Sequence, residues 1–464
     1  MRVVLFLDFV RLCAGQMPDN RSASSLAAKR PSAFTSLRHR DFRLLWMGQI
    51  VSVTGSQMQL VAINWHLYLL TNSALALGLV GAFRAAPIIV CSLMGGLVAD
   101  VADRRRVMIA TQTIMLTCSA VLALVTFGGL RRSWPIYLLT AVASAAWAFD
   151  TPARQSLMPA LVPAEDFPNA VSLSMLMFQI GMILGPTLAG FVLASHGPGL
   201  VYALNAVSFV AVIVGLFLMR GTARHIADDE QRTTISVDAL REGLRFVWRT
   251  PIIVQTMTLD FVATFFASAN QLLPIFAKDI LAVGARGMGF LAAAPAAGAV
   301  IAGLGMARVG TLKRQGSIVI ASVAIFGVAT IAFGLSRYFW LSLLMLAITG
   351  AADTVSTILR QTIRQLSTPN KLRGRMTSIN MVFFMGGPQL GEVEAGGLAS
   401  LIGAPLSVVT GGIGCVMAAA IAFVKARSLR SYDATQTVRV TENEVENGLR
   451  RPLNIRREPG TSPD

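Results

Sequence analysis

Between residues 45 and 425 the chain carries one apolar run after another, at 45–69, 75–99, 106–129, 134–156, 169–194 and 200–219, then at 251–276, 286–307, 316–336, 338–359, 374–401 and 404–425. Each is about as long as a bilayer is thick. A helix rises 1.5 Å per residue, so roughly 20 apolar residues cross the hydrocarbon layer with every backbone hydrogen bond made internally. The pattern predicts an all-α membrane protein of twelve transmembrane helices. A composition of 54% hydrophobic against 14% charged residues excludes an ordinary soluble domain.

The runs fall into two sets of six, which sets the expected domains: a cytoplasmic, partly disordered arm over 1–44, a bundle over 45–219, a linker over 220–250, a bundle over 251–425 and a disordered tail over 426–464. Within the linker, SVDALREGLRFVW alternates apolar and charged residues at helical spacing, as a helix lying on a membrane surface does. The opening MRVVLFLDFVRLCAG is interrupted by Asp8 and Arg11 and lacks a clean cleavage site. It reads as a flexible arm, or as an over-extended start with initiation at Met17. Cys13, Cys91, Cys118 and Cys415 are scattered without the spacing of a metal or disulfide motif, so no metal is expected.

The basic residues set the orientation. With both termini in the cytoplasm, 34 of the 40 lysines and arginines fall on that side and only Arg131, Arg132, Lys278, Arg286 and Arg337 on the other, with Arg84 inside a span. This bias is the positive-inside signature, and it accounts for the net charge of +16 without a nucleic-acid partner.

The two sets resemble each other. The fifth run contains GMILGPTLAG, with Gly181, Gly185, Pro186 and Gly190; the eleventh contains GGPQLGEVEAGG, with Gly387, Pro388 and Gly391. Each holds Gly-Pro-x-Leu and a small-xxx-small pair that lets helix backbones approach closely. Arg154-Gln155 precedes the first Gly-Pro by 31 residues and Arg360-Gln361 the second by 27. An internal duplication predicts two pseudo-symmetric six-helix bundles that rock about a central cavity.

The segment GGLVADVADRRRVMI resembles the loop 2–3 signature of the major facilitator superfamily, with Gly96, Asp100, Arg104 and Arg105 in register. Asp103 stands where that family usually has glycine. GMILGPTLAG is similar to the superfamily's antiporter-type motif, with Ser172 in place of an earlier glycine. The blocks SLRHRDFRLLWMGQIVSVTGSQM, LGLVGAFRAAP, DTPARQSLMPALVP and GPQLGEVEAG look like its enterobactin-exporter-like, transmembrane secretion effector branch. The resemblance implies the major facilitator fold in a bacterial cytoplasmic membrane. It also implies secondary active export of a small organic solute, siderophore-like or drug-like, by proton antiport. An importer or facilitator of the same fold, and a non-transporting membrane sensor, are the alternatives. Asp100 is either a plain topology anchor or, as the resemblance implies, a latch facing the start of the eleventh helix near Asn370 to Gly374, with Arg105 bridging toward the end of the fourth.

Other charges lie deeper. Asp150 and Arg154, four residues apart across Pro152, can pair along the fourth helix, and Asp353 and Arg360 share a face of the tenth. These are either gates or static stitches. Arg84 and Glu392 lie 8 and 9 residues from the outer ends of their runs, roughly 12 and 13 Å deep, so Arg84 is expected to meet an acid across the bundle interface. Glu394 is about 200° from Glu392 on a helix and points elsewhere, as a packing or relay acid. Asp260 near the midplane is a candidate proton carrier or a hydrogen-bonded cap of a broken helix. Gln57 and Gln59, on opposite sides of the first helix, and Asn270 and Gln271 in the seventh are candidates for the substrate path. Asn64, Trp65 and His66 are expected to anchor the outer interface. No phosphate-binding Gly-x-x-x-x-Gly-Lys loop and no nucleophile–base constellation occur, so neither a cofactor nor an enzyme is expected, and the chain is expected to be a monomer.

Overall fold

Proline and glycine punctuate the helices. The computed structural model describes residues 34–101, 103–220, 244–266, 269–309, 312–368 and 373–433. The first set of runs forms α1 (Arg40–Thr71), α2 (Ala74–Val101), α3 (Arg104–Phe127), α4 (Trp134–Leu157), α5 (Phe167–His196) and α6 (Pro198–Leu218). The second forms α7 (Pro251–Phe266), α8 (Gly284–Val309), α9 (Gln315–Leu335), α10 (Phe339–Leu366), α11 (Arg373–Ile402) and α12 (Ala404–Lys425). No strand occurs among the described residues. Gly197 alone joins α5 to α6 and Gly403 alone joins α11 to α12, at φ of 74° and 86°. That left-handed backbone suits glycine, and a proline in the following first turn starts the next helix at no hydrogen-bond cost.

Among the described residues, nine helices are long and apolar enough to cross a bilayer: α2, α3, α5, α6, α7 with its extension to Ile280, α8, α9, α10 and α12. The chain is a multi-pass membrane protein. α1, α4 and α11 match the others in length but spend positions on groups such as Gln49, Asp150 and Glu392, which line internal cavities.

The seventh run is a broken helix. Beyond the described α7, Ala269–Leu272 is a 3-10 turn, and Phe276–Ile280 widens to a π turn closed by Leu281 N–H donating to the Phe276 carbonyl at 2.8 Å. Pro274 supplies no N–H to the regular ladder, which is one physical reason the helix is interrupted here.

Helix contacts repeat between the sets. In the first half α1 packs on α5 and α6, α2 on α4, and α3 on α4 and α6; in the second half α7 packs on α11 and α12, α8 on α10, and α9 on α10 and α12. The halves meet along α2 with α11 and α5 with α8. Both seams are glycine contacts: a Cβ on Gly289 would lie 2.9 Å from the Gly190 Cα, and one on Gly396 only 2.6 Å from the Gly78 Cα. No larger side chain fits between backbones that close.

We call the end where α6 finishes and α7 begins the linker end. At the opposite, far end one apolar core runs through both halves, including Leu67, Leu77, Leu193, Phe276, Met288 and Ala399. Toward the linker end the cores are separate: Leu45, Met108 and Leu216 in the first half, and Val319, Leu359 and Cys415 in the second. Residues 299–309 of α8 contain no buried side chain, so the α5–α8 seam opens in that direction.

One expectation changes. Asn64, Trp65 and His66 are buried rather than interfacial, His66 Nδ1 lying 3.2 Å from the Tyr202 hydroxyl, because the far-end core closes over them. The end of the N-terminal arm is ordered: Ser36 N–H donates to Asn169 Oδ1 at 3.0 Å and His39 Nε2 lies 2.7 Å from Asp166 Oδ2. The start of the tail is ordered too, since the Leu429 side chain is fully buried and its N–H donates to Gln255 Oε1 at 3.1 Å. Residues 1–33, 221–243 and 434–464, with the expected linker helix up to residue 243 and most of the tail, lie outside the described residues.

Candidate functional site

The first half encloses a cavity of about 310 Å³ walled by α1, α3, α4 and α6, with Arg84 of α2, Phe178 of α5 and Gln389 of α11 at its edges. Its lining is rich in amides and hydroxyls. Gln59 Oε1 accepts from Ser119 Oγ and Asn205 Nδ2, both at 2.8 Å. Gln57 donates to the Met182 sulfur of α5. The two glutamines turn to different neighbours, yet both line this cavity.

Asp150 and Arg154 line the same cavity without pairing. Asp150 Oδ1 accepts from Thr111 Oγ1 and Gln112 Nε2, each at 3.0 Å, while Arg154 Nη1 donates to Gln49 Oε1 at 3.0 Å. The expected pairing along one helix turn gives way to neighbours on α3 and α1 that meet each group at hydrogen-bond distance.

At the α2–α11 seam, Arg84 Nη1 lies 3.8 Å from Glu392 Oε1. The Gln271 side chain is a hydrogen-bond partner of the same carboxylate. Glu392 also lines a second cavity, of about 200 Å³, in the other half with Asn270, Thr330, Thr349 and Asp353. The ion pair therefore stands between the two cavities. Glu394 is half-buried and lines neither.

Deeper in the second half a buried charge cluster joins α7 to α10. Arg360 Nη2 lies 2.7 Å from Asp260 Oδ1 and 3.7 Å from Asp353 Oδ1, and Arg364 Nη1 lies 3.6 Å from Asp260 Oδ2. Arg360 is 2% exposed; its Nη1 donates to Ser356 Oγ at 2.8 Å and its Nη2 also to Thr357 Oγ1 at 3.0 Å. Asp260 is thus an ion-pair partner of two arginines. Arg364 was not singled out from the sequence, although its place one turn beyond Arg360 was the available signal.

At the linker end Asp103 caps α3: its Oδ1 accepts from the N–H of Arg105 at 2.9 Å and of Arg106 at 3.3 Å. Its φ of −62° is open to any residue, so the turn does not need the family's glycine. Arg104, not Arg105, reaches the end of α4, donating to the Ser156 carbonyl at 2.9 Å. Arg105 instead donates to the Phe217 carbonyl of α6 at 3.2 Å. Each guanidinium thus meets a carbonyl in the last turn of a helix, the end that attracts cations. Gly96 lies in α2; the Asp100 side chain and Asn370, the expected latch, lie outside the described residues.

The far end is tied across the halves by polar contacts that sequence reasoning missed. The Tyr68 hydroxyl donates to Asp279 Oδ2 in the π turn, Lys278 Nζ donates to Asn72 Oδ1 at 3.3 Å, and the same ammonium lies 5.1 Å from the centre of the Tyr68 ring. Across the α5–α8 seam Arg286 lies 5.9 Å from the Phe191 ring. The packing glycines divide: Gly181 and Gly185 face Val53, Thr54 and Gln57 of α1, Gly387 faces Thr264 and Phe261 of α7, and Gly190 lies on the seam. Pro186, Pro388 and Gly391 sit inside α5 and α11.

Residues 31–457 match the model of the transmembrane secretion effector family. The chain belongs to this family of the major facilitator superfamily. It is 24% identical over 400 residues to the enterobactin exporter EntS of Shigella boydii serotype 18, covering 86% of this chain and 94% of that relative. The EntS of Escherichia coli O1:K1 matches to the same extent. Among solved structures, a bacterial homologue of the human lysosomal transporter Spinster, in an inward-facing and unoccupied conformation, superposes with a TM-score of 0.67 at 16% identity, over 84% of this chain and 98% of that one. The nucleoside transporter NupG superposes with a TM-score of 0.63 at 15% identity, over 83% and 99%. The fold is that of these transporters, and the family member is itself a membrane transporter.

Proposed function

We propose that this transporter is a secondary active exporter of the bacterial cytoplasmic membrane, with twelve spans in two six-helix bundles and both termini in the cytoplasm. It moves a small organic solute, siderophore-like or drug-like, outward in exchange for protons. The observation that carries the reading is the asymmetry between the ends: the cores of the halves merge at the far end and separate toward the linker end, beside polar cavities. With the basic linker end in the cytoplasm, this is the state that loads solute from inside. The enterobactin-exporter relatives support both export and the solute class.

Coupling is assigned to Glu392. It has one cation at 3.8 Å, an Oε2 without a hydrogen-bond partner, and a place on the seam that must part when the far end opens. Asp260, clamped by two arginines, serves instead as a fixed ion pair between α7 and α10. Alternating access then needs Arg84 and Glu392 to separate as protons and solute exchange.

Inside-out vesicles containing the protein, with an imposed proton gradient, test the reading through uptake of catecholate chelators and cationic dyes. Uptake that follows the gradient and is abolished by Glu392→Gln is expected. Gradient-independent movement, or movement only in the opposite direction, overturns it.

A further inference from the structure

The duplication places two arginines, Arg154 and Arg360, at corresponding positions and gives them different partners. Gly185 of α5 rests on Thr54 and Gln57 of α1, and Gly387 of α11 on Phe261 and Thr264 of α7, which aligns α1 with α7. In that alignment Asp260 lies about one turn before Thr264, and Gln49 lies about one turn further toward the linker end. Arg360 meets a carboxylate of α7, Asp260, whereas Arg154 meets a neutral amide of α1, Gln49, at 3.0 Å. One half has closed its arginine with an internal acid. The other has not.

The amide is incompletely used. Gln49 is 3% exposed and lines the first-half cavity, and its Nε2 has no hydrogen-bond partner. Leaving a buried amide donor unpaired is costly, so its persistence points to an acceptor that arrives from the cavity. The Arg154 bond to Gln49 Oε1 fixes the direction of that amide and polarises the free N–H. Other charges nearby do not fill the place. Asp150 turns its Oδ1 to Thr111 and Gln112, and Glu392 faces Arg84. Trp147, seven residues before Arg154 on the same face of α4, and Phe178 supply ring surface on the cavity wall.

Taking the chain as a solute transporter, we propose that Gln49 and Arg154 form a subsite for a carboxylate of the transported solute, whose apolar or aryl body lies against Trp147 and Phe178. One carboxylate oxygen accepts from Gln49 Nε2 within the field of the Arg154 guanidinium. This gives charge-assisted recognition that an uncharged analogue does not match.

The test is equilibrium dialysis of the full-length chain in nanodiscs of uncharged lipid, with 1-naphthoate and 1-naphthamide as matched probes. The wild-type protein is expected to prefer the acid by about tenfold, the scale of one charge-assisted hydrogen bond. Gln49→Glu, which rebuilds the closed arrangement of Arg360 and Asp260, is expected to abolish that preference while leaving the melting temperature unchanged or higher. Gln49→Leu, a variant without any added charge, is expected to weaken the acid severalfold and leave the amide unaffected. Equal affinities in the wild type, no binding of either probe, or a preference that survives both substitutions overturns the subsite. The dialysis needs no transport, so vesicles that fail to export while the acid preference holds would sink the exporter reading and leave the subsite standing.

Discussion

Arg360 and Asp260 meet at 2.7 Å inside the second half, on α10 and α7, with both side chains buried and Arg364 on the other carboxylate oxygen at 3.6 Å. A carboxylate between two guanidiniums is a structural tie, and breaking it leaves buried charge without compensation. Removing one partner of a buried pair costs about 3–5 kcal/mol. Asp260→Asn is therefore expected to lower the melting temperature of the purified protein strongly. Asp260→Asn with Arg360→Gln is expected to cost less than the two single substitutions added together. Additive losses in a size-exclusion melt would show that the two groups are not coupled.

Arg84 and Glu392 face one another from different halves, so their charges exchange places without changing the net charge of the seam. Arg84→Glu and Glu392→Arg are each expected to reduce gradient-driven transport more than tenfold, and the double swap is expected to recover part of it. A double variant as inactive as either single one refutes a functional pair.

The bond from Tyr68 to Asp279 joins the two halves at the far end, together with that from Lys278 to Asn72. Tyr68→Phe and Asp279→Asn are expected to shift the population toward a far-end-open state. The reporter is a cysteine at Leu77, fully buried in the far-end core, in a background without native cysteines. A membrane-impermeant maleimide added from the far side should label it several times faster in either variant. Unchanged labelling would assign these bonds no part in closure.

Glycine contacts close the seams, so Gly289→Val and Gly396→Val place side-chain atoms where backbone already lies. Both are expected to raise labelling of the same Leu77 reporter while the chain still inserts and purifies as a monodisperse species. Reduced labelling would mean that the far end is held by other contacts.

Asp103 is expected to act on stability and not on specificity. Asp103→Ala removes the acceptor for two N–H groups at the start of α3 and is expected to cost ~1 kcal/mol. Asp103→Gly, the residue usual in the superfamily, is expected to cost only a few tenths of that unit. A thermal melt that ranks the two substitutions equally would remove the cap from the account.

What the sequence by itself determined was set by local physics. Apolar runs of bilayer length dictate helices, because backbone groups in hydrocarbon find partners only within the helix. The paired Gly-Pro segments and Arg-Gln dipeptides marked the duplication, and the helix contacts repeat in the same order. The matching depths of Arg84 and Glu392 were also legible, since a charge in a span needs an opposite one at its own level. Tertiary structure alone decided the partners, because a side chain chooses among every neighbour within reach and most of those lie on helices distant in sequence. Asp150 therefore turns to α3 instead of Arg154, Asp260 becomes the tie of Arg360 and Arg364, and Asn64, Trp65 and His66 enter the core. Gln49 lies inside a block that resembles the family, but nothing in its spacing marks it as a binding residue. Its unpaired N–H became visible only once Arg154 was seen to hold the other end of the amide.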